Sequence, residues 1–366
     1  MNSKSPTRAS ELAATFALFE IGSTSLFLIG GEVRQDAWLS MLIASVAGLL
    51  LLLIHLTLHR IEPQLDLFQI IQRYSGKFIG GLISLGFIGY FTLEASRNLR
   101  DIAEVTILTL LPGTPLWSVI LIIVLVVTNT VRYGPETLFL MCIVLFPVIV
   151  IGYFVILILL AATGLLQFHF MLPILEHGWK PVFKAAIPGI LSFPFGQVVV
   201  FLVFYPMAAT RRGMNKMILL TYCGISLFLI LFNQINILVL GPVLATNSSL
   251  PLLQAVQLIQ MSEVLERIDP LFTLILFLSL GVKLATFLNA AVIGISRVIG
   301  IKHKPSSALI GVSTYFLAFM SPTYTEFIKV GREIAVKYWW PIFQILLPVL
   351  LLIVMIIRKQ RKKGIN

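Results

Sequence analysis

Ten long apolar runs, separated by charged or turn-forming residues, dominate the 366-residue sequence. A helix needs about 20 mostly apolar residues to cross the hydrocarbon core of a bilayer. The runs lie near residues 10–30, 37–58, 78–105, 116–131, 138–161, 184–208, 217–240, 270–293, 306–324 and 338–357. Only 12% of the residues are charged, against about 25% in soluble domains. The sequence therefore predicts an all-α polytopic membrane protein with ten transmembrane helices.

Lysine and arginine residues gather on one side of the predicted spans. Cytoplasmic loops carry an excess of these residues, and here most of them lie at the ends of the chain and in the loops after spans two, four, six and eight. With ten spans both termini share that side, so both are predicted to be cytoplasmic. Basic residues at 358–363 then anchor the last helix to anionic lipids. The net charge of +11 thus indicates membrane orientation, and no nucleic-acid-binding surface is expected.

Two of the predicted spans contain clusters of residues that interrupt helices. Span one reads Phe-Glu-Ile-Gly-Ser-Thr-Ser over residues 19–25, and span six has two prolines and two glycines within residues 188–197. Irregular backbone inside a membrane is tolerated only where protein or a water-filled cavity surrounds it. Because spans one and six are five apart, we expect a 5+5 inverted repeat whose discontinuous helices meet at a midplane ligand site. The alternative is that these small residues only pack against neighbouring helices.

The chain is expected to form a single integral membrane domain over residues 1–366. Its repeats would cover approximately residues 10–161 and 184–324, followed by an extra helix at 338–357 and a cytoplasmic tail at 358–366. The pattern also predicts a surface helix within residues 63–77 and an interfacial helix over residues 252–265. The loops at 162–183 and 241–269 are candidates for a lid or a partner surface, or else are simple connectors.

Four charged residues within the spans need a physical explanation. Glu20 lies in span one, Glu94 and Arg97 in span three, and Lys283 in span eight. A charge in a bilayer is costly unless it faces a cavity or a partner. The spacing of three residues would let Glu94 pair with Arg97, and Glu20 is the nearest candidate partner for Lys283 by depth. The alternatives are a self-neutralised helix face in span three and snorkelling of Lys283 towards the membrane surface.

The sequence contains no arrangement of residues that is typical of catalysis. Its five histidines form no metal-ligand spacing, and its two cysteines suggest neither a disulfide framework nor a zinc site. It has no glycine-rich phosphate loop and no nucleophile motif. We therefore expect a protein that is not an enzyme, with no catalytic residues, no metal and no cofactor.

Four motifs together resemble those of the spore germination permeases. They are residues 19–25, residues 97–115 with a Leu-Leu-Pro-Gly-Thr-Pro turn, Arg-Tyr-Gly-Pro-Glu at 132–136 and Leu-Glu-Arg-Ile-Asp-Pro-Leu-Phe at 265–272. Those permeases are the B-subunits of nutrient germinant receptors, within the amino acid, polyamine and organocation transporter superfamily. The resemblance implies a leucine-transporter-like fold without its last two helices. It also implies a small-molecule germinant, typically an amino acid, A and C partner subunits, and a location in the spore inner membrane.

The resemblance also implies where a ligand binds. The implied site residues are Ile21, Gly22, Ser23, Thr24 and Ser25 in span one and Ser192, Phe193, Pro194, Phe195 and Gly196 in span six. Backbone amides at 22–24 would receive a carboxylate, and carbonyl groups near residue 193 would receive an ammonium. The alternative functions are an active amino acid or polyamine permease and, as a third possibility, a water or ion channel. Sensing and transport can use the same site, so the sequence does not separate them.

Overall fold

Helices make up almost all of the regular structure in the computed structural model, which describes residues 7–208, 211–259 and 269–363. Within those ranges the only β-type pairing is an isolated bridge between Thr7 and Ala208. The α-helices are α1 (Ala9–Thr24), α2 (Ala37–Ile61), α3 (Leu67–Ser75), α4 (Lys77–Thr109), α5 (Leu116–Val131), α6 (Pro135–Ala162), α7 (Trp179–Lys184), α8 (Arg211–Leu240), α9 (Pro242–Asn247), α10 (Pro251–Gln257), α11 (Asp269–Val298), α12 (His303–Leu317), α13 (Tyr324–Val330) and α14 (Leu347–Lys363).

Seven helical segments of the described chain are long and apolar enough to cross a membrane. They are Gly31–Ile61, Lys77–Thr109, Pro135–Ala162, Trp179–Val203, Gly213–Leu240, Pro270–Val298 and Tyr324–Gln360. Helix α5 is apolar but shorter, and α1 and α12 have only 16 and 15 residues. The prediction of an all-helical integral membrane protein is confirmed, while the number of ten crossings stays a prediction.

Helix α1 is the central helix of the fold. It packs against α6, α8 and α11, and every residue of it from Leu12 to Thr24 is buried. A helix that is apolar on all sides belongs in the core of a bundle. The rings of Phe16 and Phe19 pack on Phe201, with centroids 4.8 and 5.3 Å apart. This aromatic packing joins the first and sixth predicted spans on the side where α1 begins.

The first predicted span is interrupted at residue 25. Helix α1 ends at Thr24, non-helical backbone follows at 25–30, and a 3₁₀-helix forms over Gly31–Asp36. Gly30 has a φ of 72°, a left-handed conformation that glycine adopts without a steric penalty. The side chain of Asn233 on α8 holds this segment, because it accepts a hydrogen bond from Ile29 N (2.8 Å) and donates one to Ile29 O (2.9 Å).

The sixth predicted span is interrupted twice. Helix α7 continues as a π-helix over Ala185–Ile190 that contains Pro188. A turn at residues 193–194 then leads into a 3₁₀-helix over Phe195–Val203. Proline lacks the N–H group that an α-helix needs, which explains why the regular helix fails at both positions. The irregularities predicted for spans one and six are therefore both present.

The last helical segment is much longer than the predicted helix at 338–357. Helix α13 is followed by π-helices over Gly331–Trp339 and Ile342–Leu346 and then by α14. Charged residues between 329 and 337 interrupt the apolar run, so the sequence predicts a loop in this stretch. In the structure it is helical, and its widened π-helical turns face the interior site described below.

Two helices were expected in connecting segments. The one within residues 63–77 is present as α3. The one over residues 252–265 is present only in part, because α10 ends at Gln257; residues 260–268, including the first part of the motif at 265–272, lie outside the described ranges.

Asp66 joins α3 to the end of α11. Its side chain accepts a hydrogen bond from Gln69 N (3.0 Å), and the Gln69 side chain accepts one from Asp66 N (3.0 Å), which forms a capping box. Arg297 Nε donates to the other carboxylate oxygen at 2.9 Å. Burial raises the pKa of Asp66, whereas the Gln69 N–H and Arg297 oppose this shift.

An Asp66→Ala variant should therefore be less stable by about 1–3 kcal/mol, because it loses both a helix cap and a charge-assisted hydrogen bond. Unfolding in mixed SDS and detergent micelles measures this loss. Arg73→Gln is the matched control: it removes the ion pair with Glu62, but the Arg73 side chain is 54% exposed, so it should cost less than about 1 kcal/mol. Equal losses in the two variants would contradict the role given to Asp66.

Candidate ligand cavity

A cavity of about 420 Å³ lies where the two interrupted spans approach α4 and the last helical segment. Its walls are residues 27–32 after α1, the π-helix of the sixth span with Phe193, one face of α4 from Glu94 to Asp101, and residues 328–340. Pockets for small ligands commonly occupy 300–1,000 Å³. The cavity therefore has the size for a molecule such as an amino acid.

The five predicted site residues of span one occupy different environments. Ser23 lines the cavity, whereas Ile21 is fully buried in the core. The hydroxyls of Thr24 and Ser25 donate to carbonyl groups of their own helix, Glu20 O at 2.6 Å and Ile21 O at 2.8 Å. Gly22 faces α11, since a Cβ there would lie 2.9 Å from Lys283 Cδ.

The free amide groups of span one lie beyond the predicted positions. Gly22, Ser23 and Thr24 belong to the last turn of α1, where backbone N–H groups point along the helix to its own carbonyls. Among the described residues, the N–H groups of Phe27 and Leu28 have no hydrogen-bond acceptor, and both residues line the cavity. In the described part of the chain, backbone N–H groups without an acceptor therefore occur after α1, at Phe27 and Leu28, whereas those of residues 22–24 lie within the helix.

The five predicted residues of span six are also divided. Phe193 lines the cavity, with its ring centroid 6.4 Å from that of Phe27. Pro194 forms the turn that follows it. Phe195 is fully buried and packs on Tyr222, and Gly196 leaves room for the Gln344 side chain. The Ser192 hydroxyl is buried and has no hydrogen-bond partner among the described residues.

Glu94 and Arg97 both face the cavity, but each has a different partner from the one the spacing predicts. Glu94 accepts hydrogen bonds from Gln197 Nε2 (2.7 Å) and from Trp340 Nε1. The Arg97 guanidinium lies over the ring of Phe327, 4.4 Å from its centroid, and 5.8 Å from that of Trp340. The charge of Arg97 acts on Glu94, but the direct contacts of the two side chains come from spans six and ten and from α13.

Asn98, Gln197 and Asp101 are polar residues that line the cavity. Asn98 Oδ1 and Gln197 Oε1 are buried and have no hydrogen-bond partner among the described residues. Asp101 accepts a hydrogen bond from the Tyr324 hydroxyl at 3.1 Å. Buried acceptors without partners are rare in proteins and usually meet water or a ligand. One unpartnered acceptor thus belongs to α4, which also contains Arg97, and the other belongs to the sixth span.

Lys283 and Glu20 lie next to the cavity, at the interface of α11 and α1. Lys283 Nζ is 4.9 Å from the ring centroid of Phe19 and 5.1 Å from that of Phe193. Both charged side chains are buried, and neither has a hydrogen-bond partner among the described residues. Glu20 is the acidic group that acts most strongly on Lys283. Because Lys283 is completely enclosed by protein, its ammonium does not snorkel to the membrane surface.

The sequence offered little sign of the wall at residues 328–340. Trp340 is 5% exposed, and six lining residues come from the range 331–340. The only available sign was the close succession of charged residues and tryptophans immediately before an apolar run.

Sequence similarity to known proteins extends over almost the whole chain. A family model described as "Spore germination protein" matches residues 9–328. The chain belongs to the spore germination protein family. Spore germination protein KB of Bacillus subtilis (strain 168) is 28% identical over 355 residues, which cover 96% of this chain and 95% of that protein. Spore germination protein YndE of the same organism is 26% identical over 333 residues, covering 90% and 88%.

The fold of this spore germination protein is shared with Mhp1, a nucleobase-cation-symport-1 family transporter. Mhp1 in a closed conformation with bromovinylhydantoin bound has a TM-score of 0.57 at 15% identity, covering 88% of this chain and 75% of Mhp1. Its inward-facing conformation has a TM-score of 0.57 at 16% identity, covering 97% and 78%. The family and the fold together place the chain among transporter-like membrane proteins and not among enzymes.

Proposed function

We propose that this protein is the germinant-sensing, transporter-like subunit of a spore nutrient receptor and that it binds a small amino-acid-type ligand between spans one and six. The observation that carries the proposal is a cavity at the two helix interruptions that is lined by Arg97, by Glu94 and by two residues with buried, unpartnered acceptors, Asn98 and Gln197. Membership of the spore germination protein family and a transporter fold support it.

The charges of the cavity match those of a zwitterion. A ligand carboxylate would receive hydrogen bonds from Arg97 and from the backbone N–H groups of Phe27 and Leu28, since charge-assisted bonds to arginine are strong and directional. A ligand ammonium would donate to Glu94 and to the free side-chain oxygen of Gln197. Phe193 would pack on the ligand side chain. This arrangement moves the carboxylate from residues 22–24, as implied by the resemblance, to the outer end of the interruption.

The proposal includes a membrane arrangement. The chain would cross the membrane ten times as two inverted repeats, with both termini in the cytoplasm, and would lie in the spore inner membrane. Ligand binding would then be communicated to A and C partner subunits. The positive charge of the predicted cytoplasmic loops supports this orientation.

Binding of amino acids to the purified protein tests the ligand site. We expect at least one of the twenty common L-amino acids to bind saturably to protein in detergent, as measured by calorimetry. Arg97→Gln should lower that affinity by about 10- to 150-fold, because a hydrogen bond to a charged group contributes about 1.5–3 kcal/mol. Arg60→Gln, at an exposed position at the end of α2, is the matched control and should bind normally. Unchanged binding by Arg97→Gln would remove Arg97 from the site.

An active amino acid permease is the second candidate function, and the fold shared with the transporter Mhp1 favours it. Uptake of the radiolabelled ligand into proteoliposomes separates the two functions. Binding without accumulation supports the receptor, and saturable accumulation supports the permease. The third possibility, a water or ion channel, would appear in the same vesicles as faster osmotic shrinkage or ion leakage.

A further inference from the structure

The last helical segment forms the wall of the cavity opposite span one. Six of the lining residues lie between Gly331 and Trp340, whereas the match to the family model ends at residue 328. The π-helical backbone of Gly331–Trp339 is wider than an α-helix, and such turns often occur at functional sites. This wall is therefore the part of the cavity that lies outside the sequence pattern matched by the family model.

Trp340 contacts Glu94, one of the acidic residues that line the cavity. Its Nε1–H donates a hydrogen bond to a carboxylate oxygen of Glu94, while Gln197 donates to the other oxygen. The indole ring also packs against Phe193, with centroids 5.7 Å apart. Because two donors hold its two oxygens, the Glu94 carboxylate has one orientation towards the cavity.

The same wall contacts Arg97, one of the basic residues that line the cavity. The Arg97 guanidinium lies 5.8 Å from the ring centroid of Trp340, within the range of a cation–π interaction. It also fills the space beside Gly331, where an added Cβ would collide with it. Trp340 and Gly331 thus determine where the cationic and anionic groups of the cavity stand relative to each other.

We propose that Trp340 is a positioning residue that fixes the separation of Glu94 and Arg97, so that the wall from Gly331 to Trp340 selects α-amino acids over isomers whose charges are farther apart. This inference rests on the proposed function, because it assumes a zwitterionic ligand between these two side chains. In an α-amino acid one carbon atom separates the ammonium from the carboxylate carbon. A pair of protein charges held at one separation discriminates between ligands that differ in charge separation, since a displaced ligand charge leaves a buried group unpaired.

Three isomers of aminobutyrate test the inference, because they share composition and net charge and differ in charge separation. We expect the wild-type protein to bind L-2-aminobutyrate at least tenfold more tightly than 4-aminobutyrate, with 3-aminobutyrate between them. Trp340→Phe keeps an aromatic ring but removes the N–H donor, and should reduce that preference to less than threefold. Trp339→Phe is the matched control, because Trp339 is 50% exposed, and should keep the wild-type preference.

A second variant tests the same inference independently, in case Trp340→Phe does not fold. Gly331→Ala displaces Arg97 without altering Trp340, and it should also reduce the preference for L-2-aminobutyrate. Thermal unfolding of each variant identifies samples that are not folded. If folded Trp340→Phe and Gly331→Ala both keep the tenfold preference, the positioning role is wrong while the proposed function stands. If the wild-type protein binds none of the common amino acids and none of the three isomers, the proposed function fails, and this inference fails with it.

Discussion

A Lys283→Met variant is expected to lose about 3–5 kcal/mol of stability. Lys283 and Glu20 are both buried at the interface of α1 and α11, and neither has a hydrogen-bond partner among the described residues. Removing one charge of such a pair leaves the other buried without compensation, which is strongly destabilising. Unfolding in mixed SDS and detergent micelles, followed by circular dichroism, measures the loss.

The double variant Glu20→Gln/Lys283→Met provides the decisive comparison. Glu20 and Lys283 interact through their charges without a direct ion pair or hydrogen bond. Replacing two mutually compensating buried charges by uncharged side chains is often nearly neutral, so the double variant should recover most of the stability that each single variant loses. A double-mutant cycle with a coupling free energy near zero would show that Glu20 does not compensate Lys283. The acidic partner would then have to be sought in α4, where Glu94 and Asp101 also act on the lysine.

Gly22→Val should give the second large effect, an almost complete loss of folded protein from the membrane. A Cβ on Gly22 would lie 2.9 Å from Lys283 Cδ, 3.0 Å from Lys283 Cβ and 3.3 Å from Ser279 O. The contact with backbone oxygen leaves little room for adjustment, and overpacking of a core costs about 1–3 kcal/mol or more. Because the same change also disturbs Lys283, we expect a cost at or above the upper end of that range.

Gly89→Val on α4 is the matched control for this substitution. Gly89 is helical and exposed, and a Cβ there would meet nothing within 4 Å. Its effect should therefore be limited to the difference in helix propensity, which favours valine over glycine by less than about 1 kcal/mol. Amounts of detergent-extractable, monodisperse protein compare the two variants directly. Equal yields of Gly22→Val and Gly89→Val would refute the close packing of α1 on α11.

Much of the fold could be predicted because hydropathy and helix breakers act locally. Apolar runs located the membrane-embedded helices, and Pro188, Pro194 and the small residues after Glu20 marked both interruptions. The first apolar run extends to residue 30, six residues beyond the end of α1 at Thr24. The hydropathy of Leu26–Ile29 resembles that of a helix, and the structure departs from one where Asn233, 204 residues away, binds Ile29.

The candidate site was harder to predict because its parts come from distant segments. Of the ten residues implied by the resemblance, Ser23 and Phe193 line the cavity, while residues such as Phe195 pack in the core. Spacing along α4 suggested that Glu94 pairs with Arg97. The structure instead brings Trp340 from 246 residues away to Glu94. The spacing of residues along one helix does not show which side chains of other helices will contact a charged residue on it.

The paired hydrogen bonds between Asn233 and Ile29 have a mechanical consequence. An asparagine side chain that both donates to and accepts from the backbone of one residue forms the same pair of hydrogen bonds as a neighbouring strand. It links the part of span one that follows α1 to α8. The side of the cavity that is formed by residues 27–32 is then held in place by α8. We expect any hinge that admits a ligand to lie in the wall formed by the last helical segment, in the π-helical turns that begin at Gly331.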